Sequence, residues 1–537
     1  MAESGGQSTE PALARAATRA PGAVVARFAG AARSIGLEPL VVAIVALALE
    51  VRTLLPGLGF WDTAEFQTVG PVLGTAHPTG FPTFVIAEWI ASIVLQPLGE
   101  PAYRMNLFSA LCVSFGAGCL AILVRQLGVS RIIALGAGIG FALAPSVWRV
   151  ATRADPHAFH VALVALLLVL LVAWEERHRS GQPTARRWFI AAAIVYGLAL
   201  GNHGLSILVA PGIALFVLAV EPRLLHMRRL LLPGVAALLA TVVIAYAELP
   251  IRALMGAPLV YATPGTPGGF LYVVFALQFH GSVSVAGGLA TKIGTLWETG
   301  WNEMGPLMLL VPIAGAVTTL RRRRLALLTI PTFAITVLFS SVYTDGDIGR
   351  FYDGPILIAF AWLAVAAAEV LHATAAGAVG EPGLRPGWTR AHGLATSLAL
   401  AAMLLGPAAA SVPDRWVLLD RSGDRSGEEW LDQTLSSVDS NAVVISWWSY
   451  STPLWYGQLV QHRRTDIWIL DDQARLDLNL GSLEQVVRAE MGRRPVYLVR
   501  PNNELLELAT HFRIETVFVS ITGQTLARVL GPLEGAS

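Results

Sequence analysis

Charge is scarce in this chain of 537 residues. Asp, Glu, Lys and Arg make up 14% of it, against 54% hydrophobic, and Lys292 is its single lysine. So apolar a balance excludes an ordinary soluble globular chain and fits a polytopic membrane protein. Cysteine is nearly absent. Cys112 and Cys119 both lie in an apolar run, which excludes a disulfide framework and leaves packing as their role. There is no Cys/His cluster with metal-ligand spacing, no P-loop and no Rossmann glycine fingerprint. No repeat of 20–50 residues stands out, and nothing points to a nucleic-acid partner.

What the chain does have is apolar length. Eleven stretches are long enough to be read as spans: 39–55, 104–124, 131–148, 157–174, 188–201, 204–220, 230–248, 306–320, 325–341, 354–372 and 393–412. The fifth and sixth, joined at Gly201-Asn202-His203-Gly204, also admit a single broken or re-entrant element. With the N-terminus in the cytoplasm, the inner segments hold nineteen arginines and the outer segments and outer span ends seven cations. The outer loops are the longer ones, so the positive-inside rule supports eleven spans. Residues 1–38 are expected to form a disordered cytoplasmic tail, and the apolar run after them to be a retained span. Of the two long outer loops, 56–103 contains the apolar stretch 83–98, read as an interfacial helix because a span there would invert every later loop. The second, 249–305, is expected to lie along the membrane surface. Beyond 413 charge rises and long apolar runs stop. Short strands alternating with helices predict a small outer α/β domain, 413–537, with a mostly parallel sheet. The intervening 39–412 forms the membrane domain.

The polar residues gather at the outer span ends. Asp62 and Glu65 follow the first span at i,i+3 spacing, on one side of a helical turn. Asp-x-x-Glu is also the pattern of a capping box, with Asp62 as N-cap. His77-Pro78-Thr79-Gly80-Phe81-Pro82 predicts a tight non-helical turn. Arg104, at the start of the second span, is a candidate partner for Asp62 or Glu65 or for headgroups. Arg149, Arg153, Asp155 and His157 cluster at one outer turn, Asn202 and His203 at the next. Polar groups at membrane depth are costly and point to function or to hydrogen bonds between helices. The last outer loop, Asp345 to Asp353, holds Arg350 among three acids. Its guanidinium suits phosphate oxygens, and pairing with Asp347 or Asp353 is the plainer alternative.

In order, Asp62-Thr63-Ala64-Glu65, His77-Pro78-Thr79-Gly80-Phe81-Pro82 and Tyr103-Arg104-Met105-Asn106-Leu107-Phe108-Ser109-Ala110 resemble three motifs of one family of membrane O-mannosyltransferases, whose eukaryotic member acts on plexin-type receptors. Gly201-Asn202-His203, Leu249-Pro250-Ile251-Arg252 and Pro453-Leu454-Trp455-Tyr456 resemble it too. The chain departs from the pattern at Thr63-Ala64, where the family has Ser-Gly, and at Asp155-Pro156-His157, where it has Glu-Val-Tyr. The resemblance implies the GT-C class, polytopic α-helical enzymes that use polyprenyl-phosphate sugars at the extracytoplasmic face. It implies a sugar, mannose-like, passed to a protein, glycan or lipid hydroxyl at the plasma membrane.

Such a donor leaves as a stable phosphate, so one carboxylate acting as base suffices. The expected roles are Asp62 as base, with Glu65 as acceptor-positioning group or alternative base, and Arg350 and Arg104 at the donor phosphate. His77, Asn202, His203 and Asp347 are expected at the substrate. Attack in one step predicts inversion at the sugar. No cofactor is required, although the acidic pair admits a divalent metal. The rival reading, a transporter or flippase of lipid-linked saccharides, calls for inverted repeats and charges near the bilayer midplane, and the sequence shows neither.

Overall fold

A computed structural model of the chain describes residues 36–284, 288–344, 346–379 and 386–533. Most of the expected N-terminal tail, residues 1–35, and Asp345 of the last outer loop lie outside the described residues. All eleven expected spans are helical. Seven helices among the described residues are long and apolar enough to cross a membrane, eight if the bent pair Arg131–Ala142 and Pro145–Ala151 is one span. That pair bends by 69°, where Pro145 offers no N–H to continue the ladder.

Close packing of small residues holds the bundle. A Cβ on Gly136 would stand 2.8 Å from the Ala401 carbonyl, and one on Gly140 2.9 Å from that of Leu404. Helix Pro386–Ala410 therefore approaches helix Arg131–Ala142 almost backbone to backbone, the contact that replaces a hydrophobic driving force in lipid.

The arginine-rich turns converge at one end. Arg322 donates to the Leu127 carbonyl at 2.8 Å, and Arg324 reaches Glu175 at 3.3 Å and the Ala219 carbonyl at 3.1 Å. The acidic turns meet at the other end. The fifth and sixth stretches are two helices running back on each other: Ala185–Asn202 ends at the acidic pole, His203 breaks it in extended conformation, and the chain returns through the shorter apolar helix Gly204–Val220 to the level of His178, which Glu221 meets at 3.0 Å.

Two expectations about the outer loops change in detail. Stretch 83–98 is a helix over Pro82–Val94. At 1.5 Å per residue it reaches only about 20 Å, too short to span. The second half of loop 249–305 is not separate from the next span: amphipathic Gly288–Met304 continues through Gly305–Leu310 into Val311–Arg321, a run of 34 residues that is long and apolar enough to cross a membrane.

The C-terminal domain is built on five strands, β1 (Val443–Ser446), β2 (Trp468–Leu470), β3 (Val496–Val499), β4 (Phe512–Val519) and β5 (Thr525–Pro532), in the order β2-β1-β3-β5-β4. Pairs β1/β2 and β1/β3 are parallel; β3/β5 and β4/β5 are antiparallel. The expected mostly parallel sheet is thus a mixed one. The sequence reading missed β5, which returns from β4 as a hairpin and turns that edge antiparallel. Fully buried β1 and β3 read as continuous apolar runs, as inner parallel strands do. Boundary 413 falls inside helix Val412–Leu419, whose Arg415 still donates to the Leu143 carbonyl at 2.6 Å. The two domains share a core: Leu58, Ala64 and Ala102 of the membrane domain are buried in one cluster with Trp430, Leu454 and Tyr456.

Candidate active site

Helix Trp61–Val72 carries both acids. It starts two residues earlier than a capping box at Asp62 requires. Phe60 is the extended N-cap, Asp62 is the second helical residue, and no side chain caps the end. The capping-box reading is therefore corrected: Asp62 lies in the first turn, and its side chain accepts from Arg350 and Trp448 and not from the helix's own N–H groups.

The motifs that surround this helix fix it in place. Gln67 accepts from Gly59 N–H and donates to the Gly57 carbonyl and to Asn106 Oδ1, each at 2.9 Å. Asn106 donates to the carbonyls of Leu55 and Gly57 and accepts from Ala154 N–H at 2.8 Å. One buried asparagine thus ties the segment before Asp62 to the turn that carries Asp155. At the far end, Leu73 is left-handed (φ 49°), and Arg252 takes its carbonyl at 2.7 Å, which is the work of the arginine in Leu249-Pro250-Ile251-Arg252.

Glu65 and His77 form a tight pair. Backbone N–H of His77 donates to Glu65 Oε1 at 2.7 Å, and the ring Nδ1 meets Oε2. Burial pushes the Glu65 carboxyl up, against the pull of His77. Burial works against a charged His77 as well, but Glu65 outweighs it and lifts the imidazole above its ordinary value.

Asp62 stands differently. Its side chain is 30% exposed, against 1% for Glu65. Arg350 Nη2 lies 3.5 Å from one carboxylate oxygen, and Trp448 Nε1–H donates to the other at 3.3 Å. Burial opposes ionisation, yet His77, Arg350 and Trp448 together hold this carboxyl below its ordinary value.

These groups border one cavity of about 1180 Å³, which Asp62, His77, Asp155, His203, Asp347 and Arg350 all line. Arg350 also reaches Asp155 at 3.4 Å, a carboxylate that burial would neutralise but that Arg350, His157 and Arg153 keep ionised. Asp347 is bound by Arg149 at 3.0 Å and by Arg153. Burial raises its carboxyl, and those two arginines with Arg350 bring it below its usual range. His203 sits against His157 with ring centroids 4.4 Å apart and accepts from Leu205 N–H at 3.1 Å through Nδ1. Burial first, then His157, His160 and Arg350, push its pKa well down. It is a neutral ring with its proton on Nε2.

Three sequence-based expectations are placed elsewhere. Arg104 does not meet Asp62 or Glu65. It donates to the Ser92 carbonyl and lies outside the cavity lining, because its helix turns it toward the short helix Pro82–Val94. Asn202 is fully buried and donates to the Pro156 carbonyl at 3.1 Å, outside the lining. Glu65 meets the cavity through His77. Conversely, the sequence reading missed Trp448. Its signal was its position, just beyond the C-terminal end of parallel strand β1, where open α/β sheets place ligand-binding groups.

Asp62, Glu65 and His77 also bring one donor atom each within 4.8 Å of one another. Two carboxylates and an imidazole suit a divalent cation. Here Glu65 and His77 are already bonded to each other, so a metal would have to replace that bond.

The arrangement has relatives. Residues 62–225 match the protein O-mannosyl-transferase TMEM260 N-terminal domain. That segment begins at Asp62 and contains the His77 and Asn106 motifs, so the resemblance drawn from the motifs holds. The mouse protein O-mannosyl-transferase TMEM260 is 29% identical over 198 residues, 37% of this chain and 27% of the relative. The chain thus spans about a quarter of that relative. Among solved structures, ArnT from Cupriavidus metallidurans bound to undecaprenyl phosphate superposes with TM-score 0.58 at 16% identity, covering 91% of this chain and 97% of ArnT. AglB from Archaeoglobus fulgidus, in complex with an inhibitory peptide and a dolichol-phosphate, gives TM-score 0.50 at 15% identity, covering 91% and 74%. The fold is GT-C-like, a multi-pass membrane domain with a C-terminal α/β domain.

Proposed function

We propose that this chain is an integral-membrane glycosyltransferase. It moves a mannose-like sugar from a polyprenyl-phosphate donor to an acceptor hydroxyl, on a protein by analogy with TMEM260, with inversion at the sugar. The observation that carries this reading is the pairing of one partly exposed carboxylate, Asp62, with one guanidinium, Arg350, 3.5 Å apart on the wall of a single cavity. Asp62 takes the proton of the acceptor hydroxyl as its oxygen attacks the anomeric carbon. The bond from that carbon to the phosphate oxygen breaks, and the polyprenyl phosphate leaves as an anion onto Arg350, with Arg153 beside it. Asp62 is preferred to Glu65 as base because Glu65 is buried and held at both oxygens by His77.

The cavity's apolar side supports a lipid-linked donor. Ile207 and Phe275 line it, yet are 63% and 62% exposed, so it opens onto the lipid-facing surface of the bundle. The polar groups gather at one end and not at mid-span, which favours transfer over transport. With the arginine-rich turns in the cytoplasm of the cell membrane, the site faces outward. None of these steps requires a metal. A divalent cation held by Asp62, Glu65 and His77 would supply positive charge beside the leaving phosphate.

The test is Asp62→Asn, assayed for initial-rate transfer from undecaprenyl-phosphate mannose to a serine/threonine peptide library. Because Asp62 caps nothing, the variant should melt normally in detergent and lose on the order of 10²–10⁴ in rate. Near-normal turnover would remove Asp62 from the base role.

A further inference from the structure

We infer that Trp448 is a positioning residue for Asp62, and that the C-terminal domain thereby completes the active site of the membrane domain. This rests on the proposed role of Asp62 as base. Three observations support it. The first is division of labour at the carboxylate: Arg350 holds one oxygen from the last outer loop, and the Trp448 indole N–H holds the other from a residue 386 positions away. Two donors on opposite oxygens fix the rotamer that an i,i+3 neighbour alone leaves loose.

The second is that the indole itself is clamped. Its ring meets His77 at 5.6 Å, Tyr261 at 5.6 Å and Trp455 at 5.8 Å between centroids, all edge to face. His77 and Tyr261 come from two different outer loops of the membrane domain, so Trp448 is the point at which three segments and the catalytic helix meet. Edge-to-face contacts of this kind orient a ring as well as burying it.

The third is that the domain carrying Trp448 is docked without room to slide. A Cβ on Gly427 would lie 2.2 Å from the Leu58 carbonyl. Tyr456 accepts from Ala102 N–H at 3.0 Å, and Phe60 packs edge-on against Tyr450 at 5.3 Å and Trp430 at 6.0 Å. Helix Trp448–Trp455 therefore holds its first residue over Asp62.

The charged groups around Asp62 are His77 from the turn, Glu65 on its own helix, Arg350 from the last loop and Asp155 from the turn before helix Pro156–Arg179. From the C-terminal domain, Asp471 and Asp472 line the same cavity. Removing one N–H donor leaves all of these in place and releases one carboxylate oxygen from its fixed direction, so the base loses orientation while Arg350 keeps its place at the donor phosphate.

The experiment compares four forms of the full chain in detergent, with undecaprenyl-phosphate mannose and the serine/threonine peptide library as substrates. They are Trp448→Phe, a chain with benzothienylalanine at 448 (same shape, no N–H), Trp430→Phe as a docking control, and Asp62→Asn. Both 448 forms should keep the donor KM and lose about tenfold in kcat. Trp430→Phe should lower the melting temperature and leave kcat in place. If both 448 forms keep wild-type kcat while Asp62→Asn is inactive, Trp448 only packs, and the inference falls with the base assignment intact. If Trp430→Phe lowers kcat as far as the 448 forms do, docking and not the N–H is responsible, and the inference also falls. An active Asp62→Asn removes the base and Trp448's role with it.

Discussion

Arg350 bridges Asp62 and Asp155, at 3.5 and 3.4 Å, from a loop 288 and 195 residues further along the chain. The pairing sets a basal state in which the base of the proposed reaction is also the counter-ion of the proposed phosphate clamp. A donor phosphate on Arg350 competes with Asp62 for the same N–H groups. In the proposed reaction Asp62 therefore becomes more basic once the donor is seated, before the acceptor is deprotonated.

Arg350→Ala is expected to raise the donor KM and lower kcat, together by about 10²–10³ in kcat/KM, the usual effect of losing one charge-stabilising donor. Arg350→Lys should recover part of this, because it keeps the charge and loses the fork. Initial rates against donor concentration measure both. Full activity in the Ala variant would leave Arg350 a structural ion pair.

The Glu65–His77 pair gives a stability that depends on pH. Glu65 raises His77 above its ordinary value of about 6.5. Its contribution is then complete below that pH and is lost as pH rises through the higher folded value. Melting temperature in detergent should fall from pH 6.5 toward pH 9 in the wild type and stay flatter in His77→Gln. Equal slopes for the two proteins would show that the pair adds nothing to stability.

Asn106→Ala should be among the most damaging changes outside the cavity lining. It strips partners from Gln67, Ala154 N–H and the carbonyls of Leu55 and Gly57, all buried. A cost of about 2–4 kcal/mol is expected, read as a lower melting temperature and poor yield. A variant as stable as wild type would mean that water replaces the network.

Protease added to intact cells or spheroplasts should cut within residues beyond 413 if the site faces outward. Cleavage confined to inside-out vesicles would reverse the proposed orientation while leaving the fold as it is.

Local chemistry made much of this molecule legible. Spans follow from runs of apolar residues, their order from arginine at alternate turns, and the acid pair from its place just after the first span. Helix Leu483–Met491 and strand β1 were readable because a helix or strand is set by residues within a few positions. Partnership at the site was not readable. Whether Arg104 or Arg350 would reach Asp62 depends on which span ends converge, and that is decided by close packing such as Gly136 on Ala401. Entry to helix Trp61–Val72 through extended Phe60, two residues early, turned an apparent cap into a carboxylate that pairs with Arg350 and Trp448. Trp448 reaches Asp62 only because two domains share one buried core, and β5 is antiparallel because it pairs between β3 and β4. Composition and spacing chose the elements; long-range packing chose which side chains face one another, because a contact across hundreds of residues leaves no periodic trace in the chain.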